Sequence, residues 1–588
     1  MASALLGSAD RRLPTELVLL IVEYVADDNY SLCRLAQTCR AMQHLAEEHI
    51  YKTIQLLTVR HLDDIIYALA QRRERVRAVH KLSLQYQYHE EDLELALEDR
   101  SAFNECISQM VNLREWHIES PYDNCHWDDD SGPDEWVQND MEAFQLQLQH
   151  ACKYGQEDAE RVQALRGLGY EADRLVGLAS LESLTIHSHG ISSDFWDLGN
   201  FDCLFRHPAL RHLHISCVSL IEEIPSLQSH TSKTPLTTLV FDECEISPEA
   251  LKDVLRVPAK LKHLTLGENV WNTRVSKTCK PRLNRDVKVS MAALGQVAHS
   301  LETLTHRDPS WKLDPESHKA RRMNPPGEGM RNYHALKYLQ CETNSFLHQA
   351  IIMNHEVAPP NLETLRLARH WDETVDFFER PPEIETYLAL PALTTLELMQ
   401  ASAPRKETSD ENYICDAERV RNRHAYAFKL HKVGINLKVL IEMHKERLIP
   451  PYLHGETQPV TACLYNANDV GFKHNYTEAM VTAAARDMPE SDRFSDSDIH
   501  HHKLENRHAL TKLKESFIRR GRLYNAGSLA FGDDVDEYDP FAVEIDHGGA
   551  HDVDFDDIDM DHDDLDDDED YEDEDEEMGD VDVPDDLD

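Results

Sequence analysis

The sequence predicts an α/β protein with three parts: an N-terminal α-helical module, an irregular horseshoe-shaped solenoid of strand-and-helix repeats, and a disordered acidic C-terminal tail. Three observations lead to this fold class. Residues 13–54 carry apolar side chains at helical spacing, a short leucine motif recurs along the middle of the chain, and residues 533–588 hold 31 acidic residues without a lysine or arginine. A 3.6-residue apolar period indicates helices and an alternating one indicates strands, so both kinds of element are expected.

The N-terminal segment is apolar on two sides of one helix. Pro14 suits the first helical position, where its missing N–H costs nothing. One stripe is formed by Leu17, Leu20, Ile21 and Tyr24, and a second by Val18, Val22 and Val25. A further helical run has one apolar face made by Leu32, Leu35, Cys39, Met42 and Leu45. A helix that is apolar on two sides must be covered on two sides, and about forty residues are too few to achieve this alone.

Residues 13–54 also match a known pattern in register and spacing. The matching residues are Leu13, Pro14, Glu16, Leu17, Ile21, Val22, Tyr24 and Val25, then Leu32, Leu35, Ala36, Cys39, Arg40, Met42, Leu45 and Ala46, and finally Ile50 to Ile54. This pattern resembles an F-box, with Met42 standing where many members carry an aromatic residue. The resemblance implies docking on a Skp-type adaptor, which joins an F-box to a cullin-based ubiquitin ligase.

On this resemblance, the second apolar face is expected to be the adaptor-binding surface. The residues predicted to form it are Leu13, Pro14, Glu16, Leu17, Leu20, Ile21, Tyr24, Leu32, Leu35, Cys39 and Met42. The residues alone leave another interpretation open, in which the segment is a helical hairpin that caps the next domain. The two interpretations are compatible, because one face can serve each purpose.

A motif of the form L-x-x-L-x-L recurs through the middle of the chain. It starts at 181 (LESLTI), 210 (LRHLHI), 236 (LTTLVF), 261 (LKHLTL), 301 (LETLTH), 336 (LKYLQC), 362 (LETLRL) and 393 (LTTLEL), more weakly at 437 (LKVLIE), and earlier at 79 (VHKLSL) and 113 (LREWHI). Three units extend to eleven residues, with Cys244 and Ile246, Asn269 and Trp271, or Asn344 and Phe346 in the ninth and eleventh positions. This is the form of a leucine-rich repeat.

The segment after one motif predicts the returning helix of such a repeat. Ser247 is a suitable N-cap, Pro248 suits the first helical position, and Leu251, Val254 and Leu255 would face inward. Stacked units of this kind form a solenoid whose outward strand positions line the concave face. The residues predicted to bind substrate there are Thr185, His212, His214, Thr238, His263, Thr303, Tyr338 and Arg366.

The predicted organisation has five parts. They are an F-box at 10–56, linking helices with the first irregular repeats and an acidic insertion at 57–175, the solenoid at 176–450, a C-terminal cap region at 451–532, and the disordered acidic tail at 533–588. The tail cannot bury enough apolar surface to offset its ordering entropy. Three roles stay open for it: solvation, attraction of a basic partner, or folding back over basic loops such as 317–322.

Composition argues against nucleic-acid and membrane binding. The tail accounts for 31 of the 48 net negative charges, and the remaining chain is still acidic, so phosphate would repel it. The apolar run 17–22 is far shorter than the ~20 residues of a membrane span. Twelve scattered cysteines without a CxxC pair favour reduced thiols and a cytoplasmic or nuclear location, or both.

No enzymatic motif is present. The sequence contains no GxxxxGK[ST] phosphate loop, GxSxG elbow or HExxH helix, so we predict no catalytic residues. Cys33 and Cys39 are expected to lie on the apolar helix face as inert thiols. No metal site or cofactor is predicted, because the three adjacent histidines of DIHHHK at 498–503 rarely converge on one ion.

The sequence therefore predicts a non-catalytic substrate receptor of a Skp–cullin–F-box ubiquitin ligase, which binds a protein substrate through its leucine-rich repeats. The architecture resembles F-box and leucine-rich-repeat proteins common as divergent copies in filamentous fungi. Two other readings stay open: an adaptor-bound protein without a ligase role, and a binding protein that holds a basic histone or chromatin partner with its acidic tail.

Overall fold

The computed structural model of the protein describes residues 14–58, 61–85, 97–119, 140–153, 177–187, 196–268, 282–284, 286–307, 329–342, 345–347, 357–369, 387–388, 390–402, 417–443, 460–470 and 472. The chain divides into two units, Met1–Ser528 and Leu529–Asp588, and every described residue belongs to the first. The predicted acidic tail and nearly all of the predicted cap region and acidic insertion therefore lie outside the described residues.

The N-terminal module consists of three helices, α1 (Thr15–Tyr24), α2 (Asn29–Ala36) and α3 (Arg40–Ile50). Its core is a separate apolar cluster formed by Val18, Val22, Leu32, Leu45 and Ala46. The valine stripe of α1 is thus the buried one, whereas the leucine stripe faces outward. The Val18–Val22 face packs on α2 and α3, whose apolar residues Leu32, Leu45 and Ala46 complete the cluster.

The segment after residue 30 forms two helices, α2 and α3, so the single apolar face predicted for it is divided between them. Thr38 ends α2 by donating its backbone N–H and its hydroxyl to the carbonyl of Leu35 at 3.1 and 2.7 Å. Cys39 then adopts an extended backbone with φ −163° and ψ 163° and precedes α3 as its N-cap residue. The interruption gives α3 a new direction and leaves Cys39 exposed.

A charged cluster fixes the module to the following helices, α4 (Leu62–Ala70) and α5 (Arg73–Ala78). The buried Glu47 of α3 pairs with Arg75 at 2.6 Å and with Arg72 at 3.0 Å. Burial raises the pKa of Glu47, but the hydrogen bonds from Arg75 and Gln43 and the two guanidinium charges outweigh it and leave the pKa below its usual value. Paired in this way, the buried carboxylate holds α3 against α5.

The rest of the described chain is organised around one sheet. Its strands are β1 (Thr53–Leu56), β2 (Lys81–Leu84), β3 (Glu115–Glu119), β4 (Ser183–His187), β5 (Trp196–Asp197), β6 (His212–Ser216), β7 (Val218–Leu220), β8 (Thr238–Ile246), β9 (His263–Glu268), β10 (Thr303–Arg307), β11 (Tyr338–Glu342), β12 (Thr364–Arg369), β13 (Thr395–Ser402), β14 (Asn436–Met443) and β15 (Val460–Asn466). The main path is β1-β2-β3-β4-β6-β8-β9-β10-β11-β12-β13-β14-β15, and β5 and β7 form a short side ladder with the end of β8.

The strands follow the path in sequence order, with only the side strands β5 and β7 left out, and neighbours on the path pair in parallel. The exception among the described pairs is β15, which runs antiparallel to β14 at the C-terminal edge. A sheet of sequential parallel strands, rather than one with a switch in strand order, fits the predicted stacking of repeats. The sheet extends beyond the predicted solenoid of 176–450 at both ends, since it runs from Thr53 to Asn466.

The leucine motifs lie at equivalent places in the sheet. In all ten motifs other than the weak one at 437, the strand begins at the third residue of the motif. The second and third residues donate their N–H groups to the carbonyl of the second residue of the preceding motif, as Arg211 and His212 do to Glu182 at 2.8 and 3.0 Å. The first, fourth and sixth positions are buried in one continuous core. Each motif therefore adds one strand in the same register.

The weak motif at 437 has a different register from the predicted one. Leu437 and Val439 pair with Leu396 and Leu398, so Leu437 occupies the fourth position and not the first. The first position falls on Gly434, whose φ of 83° suits glycine. Leu440 is also buried. Because Leu437 and Leu440 have the same spacing as the first and fourth leucines of a motif, the sequence-based register was wrong by three residues.

The described helices beyond α5 mostly lie between strands and return the chain from one strand to the next. They are α6 (Leu97–Ile107), α7 (Pro248–Arg256), α8 (Val287–Leu294), α9 (Ala417–Lys432) and α10 (Ala467–Val470), with 3₁₀ turns at Gly199–Arg206, Pro225–Leu227 and Gly295–Val297 and a helical segment over 140–153. Among all the residues that the structure describes, no helix combines the length and apolar character needed to cross a membrane.

Two predictions for the repeat that contains β8 are confirmed. Ser247 accepts a hydrogen bond from the Ala250 N–H at 3.1 Å as the N-cap of α7, and Leu251 of that helix is buried. Cys244, in the ninth position, is buried and donates its thiol to the carbonyls of Ile215 and Asp242. The predicted counterparts Asn269, Trp271 and Asn344 lie outside the described residues, whereas Phe346 is buried.

A buried histidine leads to a prediction about acid stability. The Nδ1 atom of His207 accepts the backbone N–H groups of Ala209 and Leu210, and Nε2 lies 3.0 Å from the carbonyl of Leu178. Because protonation of Nδ1 would break two hydrogen bonds inside the core, the neutral ring is favoured, and burial lowers the pKa of His207 to about 4. The unfolded chain binds this proton near pH 6.5, so stability falls as the pH drops from 6.5 towards 4.

We expect His207 to contribute a loss of about 3 kcal/mol over that range. His207→Asn retains a side-chain oxygen that can accept the two backbone N–H groups, but it does not titrate. Urea unfolding of both chains at pH 7 and pH 4.5 should show a smaller acid loss in the variant. An equal loss in the two chains would mean that His207 does not stay neutral in the fold.

Candidate functional site

An exposed apolar stripe covers one side of α1. Leu17, Leu20 and Ile21 are 45, 57 and 42% exposed, and Tyr24 is 91% exposed. The helix is unusual because it is apolar on both sides: one side packs in the core, and this stripe is exposed. Four adjacent apolar side chains on a small helical module are typical of a protein-binding surface. Pro14 and Glu16, which were predicted to belong to the same surface, are also exposed.

Apart from Cys39, the remaining predicted adaptor-binding residues divide into three groups. Leu32 is fully buried in the core of the module, so its assignment as a direct contact is corrected. Its face of α2 turns towards Val18 and Val22, which leaves it out of reach of a partner. Leu35 and Met42 are partly buried and pack against that core. Leu13 lies outside the described residues.

The two cysteines of the module are exposed, which corrects the expectation that they are buried. Cys33 lies within α2 next to the buried Leu32, and Cys39 is the extended residue that precedes α3. They line an open cleft of about 510 Å³ together with Ala36, Gln37, Arg40, Gln43, Glu47, Ile50 and Tyr51. The predicted adaptor contact at Cys39 is therefore accessible, but it lies in this cleft.

The predicted substrate-binding residues share one face of the sheet. They occupy two rows that run across the strands, with His212, Thr238, His263, Thr303 and Tyr338 in one and Thr185, His214 and Arg366 in the other. None of these side chains is part of the apolar core. The structure thus brings all eight onto a single surface, on which Val240 is the neighbour of His214 across the strands.

Several of these residues interact with one another or with neighbours on the same face. His263 Nδ1 lies 2.9 Å from the hydroxyl of Thr303. Arg366 forms an ion pair with Glu397 at 2.7 Å and stacks over the ring of Tyr338 at 5.7 Å. The Glu397 carboxylate also accepts from Lys438 at 3.2 Å, so Arg366 is held within a local network.

Sequence reasoning missed a group of imidazoles at the N-terminal end of this face. His117 on β3 and His187 on β4 contact each other at a ring distance of 5.4 Å, and His187 contacts His214 on β6 at 4.7 Å. Burial and the neighbouring rings of His214 and His117 lower the pKa of His187 to about 3, so this ring is neutral at pH 7. The sequence showed these histidines in LREWHI and LTIH. Their proximity could not be seen there, because it depends on the pairing of two strands that are far apart in sequence.

Comparison with known proteins bears on the N-terminal module. Residues 10–56 match the F-box-like family, which confirms the prediction of an F-box-like domain and supports an F-box protein. F-box domains in general bind Skp-type adaptors and suggest a role as substrate receptors of Skp–cullin–F-box ligases. The exposed stripe of α1 lies within the matched range. No curated protein matches the chain.

Proposed function

We propose that the chain is the substrate-recognition subunit of an SCF-type (Skp–cullin–F-box) ubiquitin ligase. The observation that carries the proposal is the stripe of Leu17, Leu20, Ile21 and Tyr24, which stays exposed on a domain that matches the F-box-like family. A Skp-type adaptor covers this stripe and links the chain to a cullin. The role places the protein in the cytoplasm, the nucleus or both.

We propose further that the sheet is a leucine-rich-repeat solenoid that binds the protein substrate. The equivalent strand starts, the repeated backbone hydrogen bonds and the buried leucine rows support this assignment. The polar face that carries His212, Thr238 and Thr303 is the substrate surface. The chain itself is non-catalytic, and it accelerates ubiquitin transfer by holding a substrate lysine close to the conjugating enzyme.

The test is co-expression of the full chain with a Skp-type adaptor, followed by size-exclusion chromatography. We expect a 1:1 complex that, with a cullin and a conjugating enzyme, transfers ubiquitin to a captured protein. A folded chain that elutes without the adaptor would overturn the proposal. A complex with the adaptor that never supports transfer would favour an adaptor-bound protein without a ligase role.

The alternative function, binding of a basic histone or chromatin partner, depends on the acidic tail. The tail lies outside the described residues, and no observation on the described part of the chain favours this alternative. The proposal therefore rests on the N-terminal module and the sheet face.

A further inference from the structure

Three metal-binding side chains converge on the sheet face near its N-terminal end. His117 and Glu119 lie on β3, and His187 lies on the adjacent β4. One ligand atom from each of the three lies within 4.8 Å of the other two. The parallel register pairs His187 with Glu119 directly, whereas His117 stands two residues before Glu119 and points to the same face.

The polar atoms of this cluster are incompletely satisfied. His187 is 8% exposed, and its Nδ1 atom has no hydrogen-bond partner among the described residues. His117 Nε2 lies only 2.9 Å from a carboxylate oxygen of Glu119, yet it too makes no hydrogen bond within the described part of the chain. Buried polar atoms are normally paired. Two adjacent ring nitrogens without a hydrogen bond therefore favour a ligand that accepts a lone pair from each.

We propose that His117, Glu119 and His187 bind a divalent transition-metal ion, with zinc as the ion that best fits the donors. Two imidazole nitrogens and one carboxylate oxygen form a ligand set that zinc accepts with nitrogen and oxygen bonds of about 2.0–2.2 Å. Donor atoms in a tetrahedral site then lie about 3.3 Å apart. The three donor atoms, which all lie within 4.8 Å of one another, are already close to this spacing.

The surroundings suit such an ion. Glu119 and His187 are buried, and the carboxylate would contribute a negative charge that offsets the metal's charge in a weakly solvated site. His214 packs edge-on against His187, and its Nε2 atom lies 3.8 Å from Asp242. Three protein ligands leave a fourth position for water or for a side chain of a bound protein. The site lies on the face proposed to bind substrate, but its existence does not depend on that function.

The experiment must separate this site from the three consecutive histidines at 500–502. The parent is therefore an untagged full chain that carries His500→Ala, His501→Ala and His502→Ala and has been stripped of metal with a chelator. Zinc alone is titrated by calorimetry. Cobalt is titrated by its visible absorption, which reports nitrogen and oxygen coordination directly. We expect the parent to bind one equivalent of zinc.

The test variants are His117→Gln and Glu119→Gln, which remove ligands without emptying the buried position of His187. Each is expected to weaken zinc binding by about a hundredfold or more and to abolish the cobalt spectrum. His212→Gln is the matched control, because it removes an exposed histidine of the same face and should leave zinc affinity unchanged. A parent without bound zinc, or two variants with the parent's affinity, would overturn the proposal.

Discussion

A chain that carries Leu17→Asp and Ile21→Asp is expected to lose a Skp-type adaptor while it remains folded. Both side chains are more than 40% exposed in the free module, so carboxylates at these positions stay hydrated and leave the core around Val18 and Val22 intact. In the complex they would be buried without partners. Two such burials cost about 3 kcal/mol or more together, which weakens binding by more than a hundredfold.

Leu19→Asp provides a matched control for this prediction. Leu19 is as exposed as Ile21, at 42%, but it lies outside the stripe. Because an α-helix advances about 100° per residue, Leu19 is about 160° around α1 from Leu17 and from Ile21. Its substitution should leave adaptor binding unchanged. Co-purification at equal expression, with circular dichroism of each chain, measures both effects.

Two outcomes would contradict the docking surface. If the double variant retained the adaptor, the stripe would not be the interface, and the cleft between α2 and α3 would become the next candidate. If Leu19→Asp lost the adaptor as completely as the double variant, the effect would reflect general solubility of α1 and not a specific face.

The helical periodicity of the N-terminal module was predictable, but the residue at which its second helix ends was not. The two stripes of α1 follow from residue spacing alone, and which one becomes buried depends on where α2 and α3 lie. Leu32, Leu35, Cys39 and Met42 have spacings that fit one helix, and the turn between α2 and α3 contains neither glycine nor proline. Gln favours helices and Thr disfavours them only weakly, so Gln37 and Thr38 give no clear signal in the sequence that a helix ends here.

The strands were predictable because their leucines alternate, whereas contacts between strands were not. The fourth and sixth positions of a motif must face the core on a pleated strand, which determines the outward residues as well. The pairing of β3 with β4 joins residues separated by a long insertion. Local sequence carries no signal for that pairing, and the proximity of His117 to His187 therefore emerges only in three dimensions.

A buried histidine that departs from the repeat pattern leads to the prediction with the largest expected effect on the free energy of unfolding. His306 occupies the sixth position of LETLTH, where the other motifs place an apolar side chain, and it is 1% exposed. Its Nε2 lies 3.0 Å from a carboxylate oxygen of Glu268, and its Nδ1 lies 2.7 Å from the hydroxyl of Ser345. Because a carboxylate only accepts, Nε2 carries the hydrogen and donates it to Glu268.

Glu268 is the centre of this buried network. Its other carboxylate oxygen accepts the backbone N–H groups of Arg282 and Leu283 at 2.8 and 3.2 Å. It thereby links the end of β9 to the segment that leads into α8. Glu268→Ala would leave three donors without partners in a site that is closed to water, and each such donor costs about 1–3 kcal/mol.

We therefore expect Glu268→Ala to lower the free energy of unfolding by about 4 kcal/mol, measured by urea unfolding with circular dichroism. Glu268→Gln is the control. Its side-chain oxygen can still accept the two backbone N–H groups, and its amide can donate to Nε2 once His306 shifts its hydrogen to Nδ1 and donates to Ser345. The loss in this variant should be about 1 kcal/mol.

The same pair of variants distinguishes the sheet from the N-terminal module. The module has its own apolar cluster, separate from the core that surrounds Glu268. Adaptor binding by the Glu268→Ala chain should therefore persist at urea concentrations where the sheet of this variant, but not that of wild type, has lost its structure. Equal stability of the Ala and Gln variants would show that the backbone donors of Arg282 and Leu283 find other partners and that Glu268 does not hold this turn. Simultaneous loss of adaptor binding and sheet structure would instead show that Glu47 and its two arginines couple the module and the sheet into one cooperative unit.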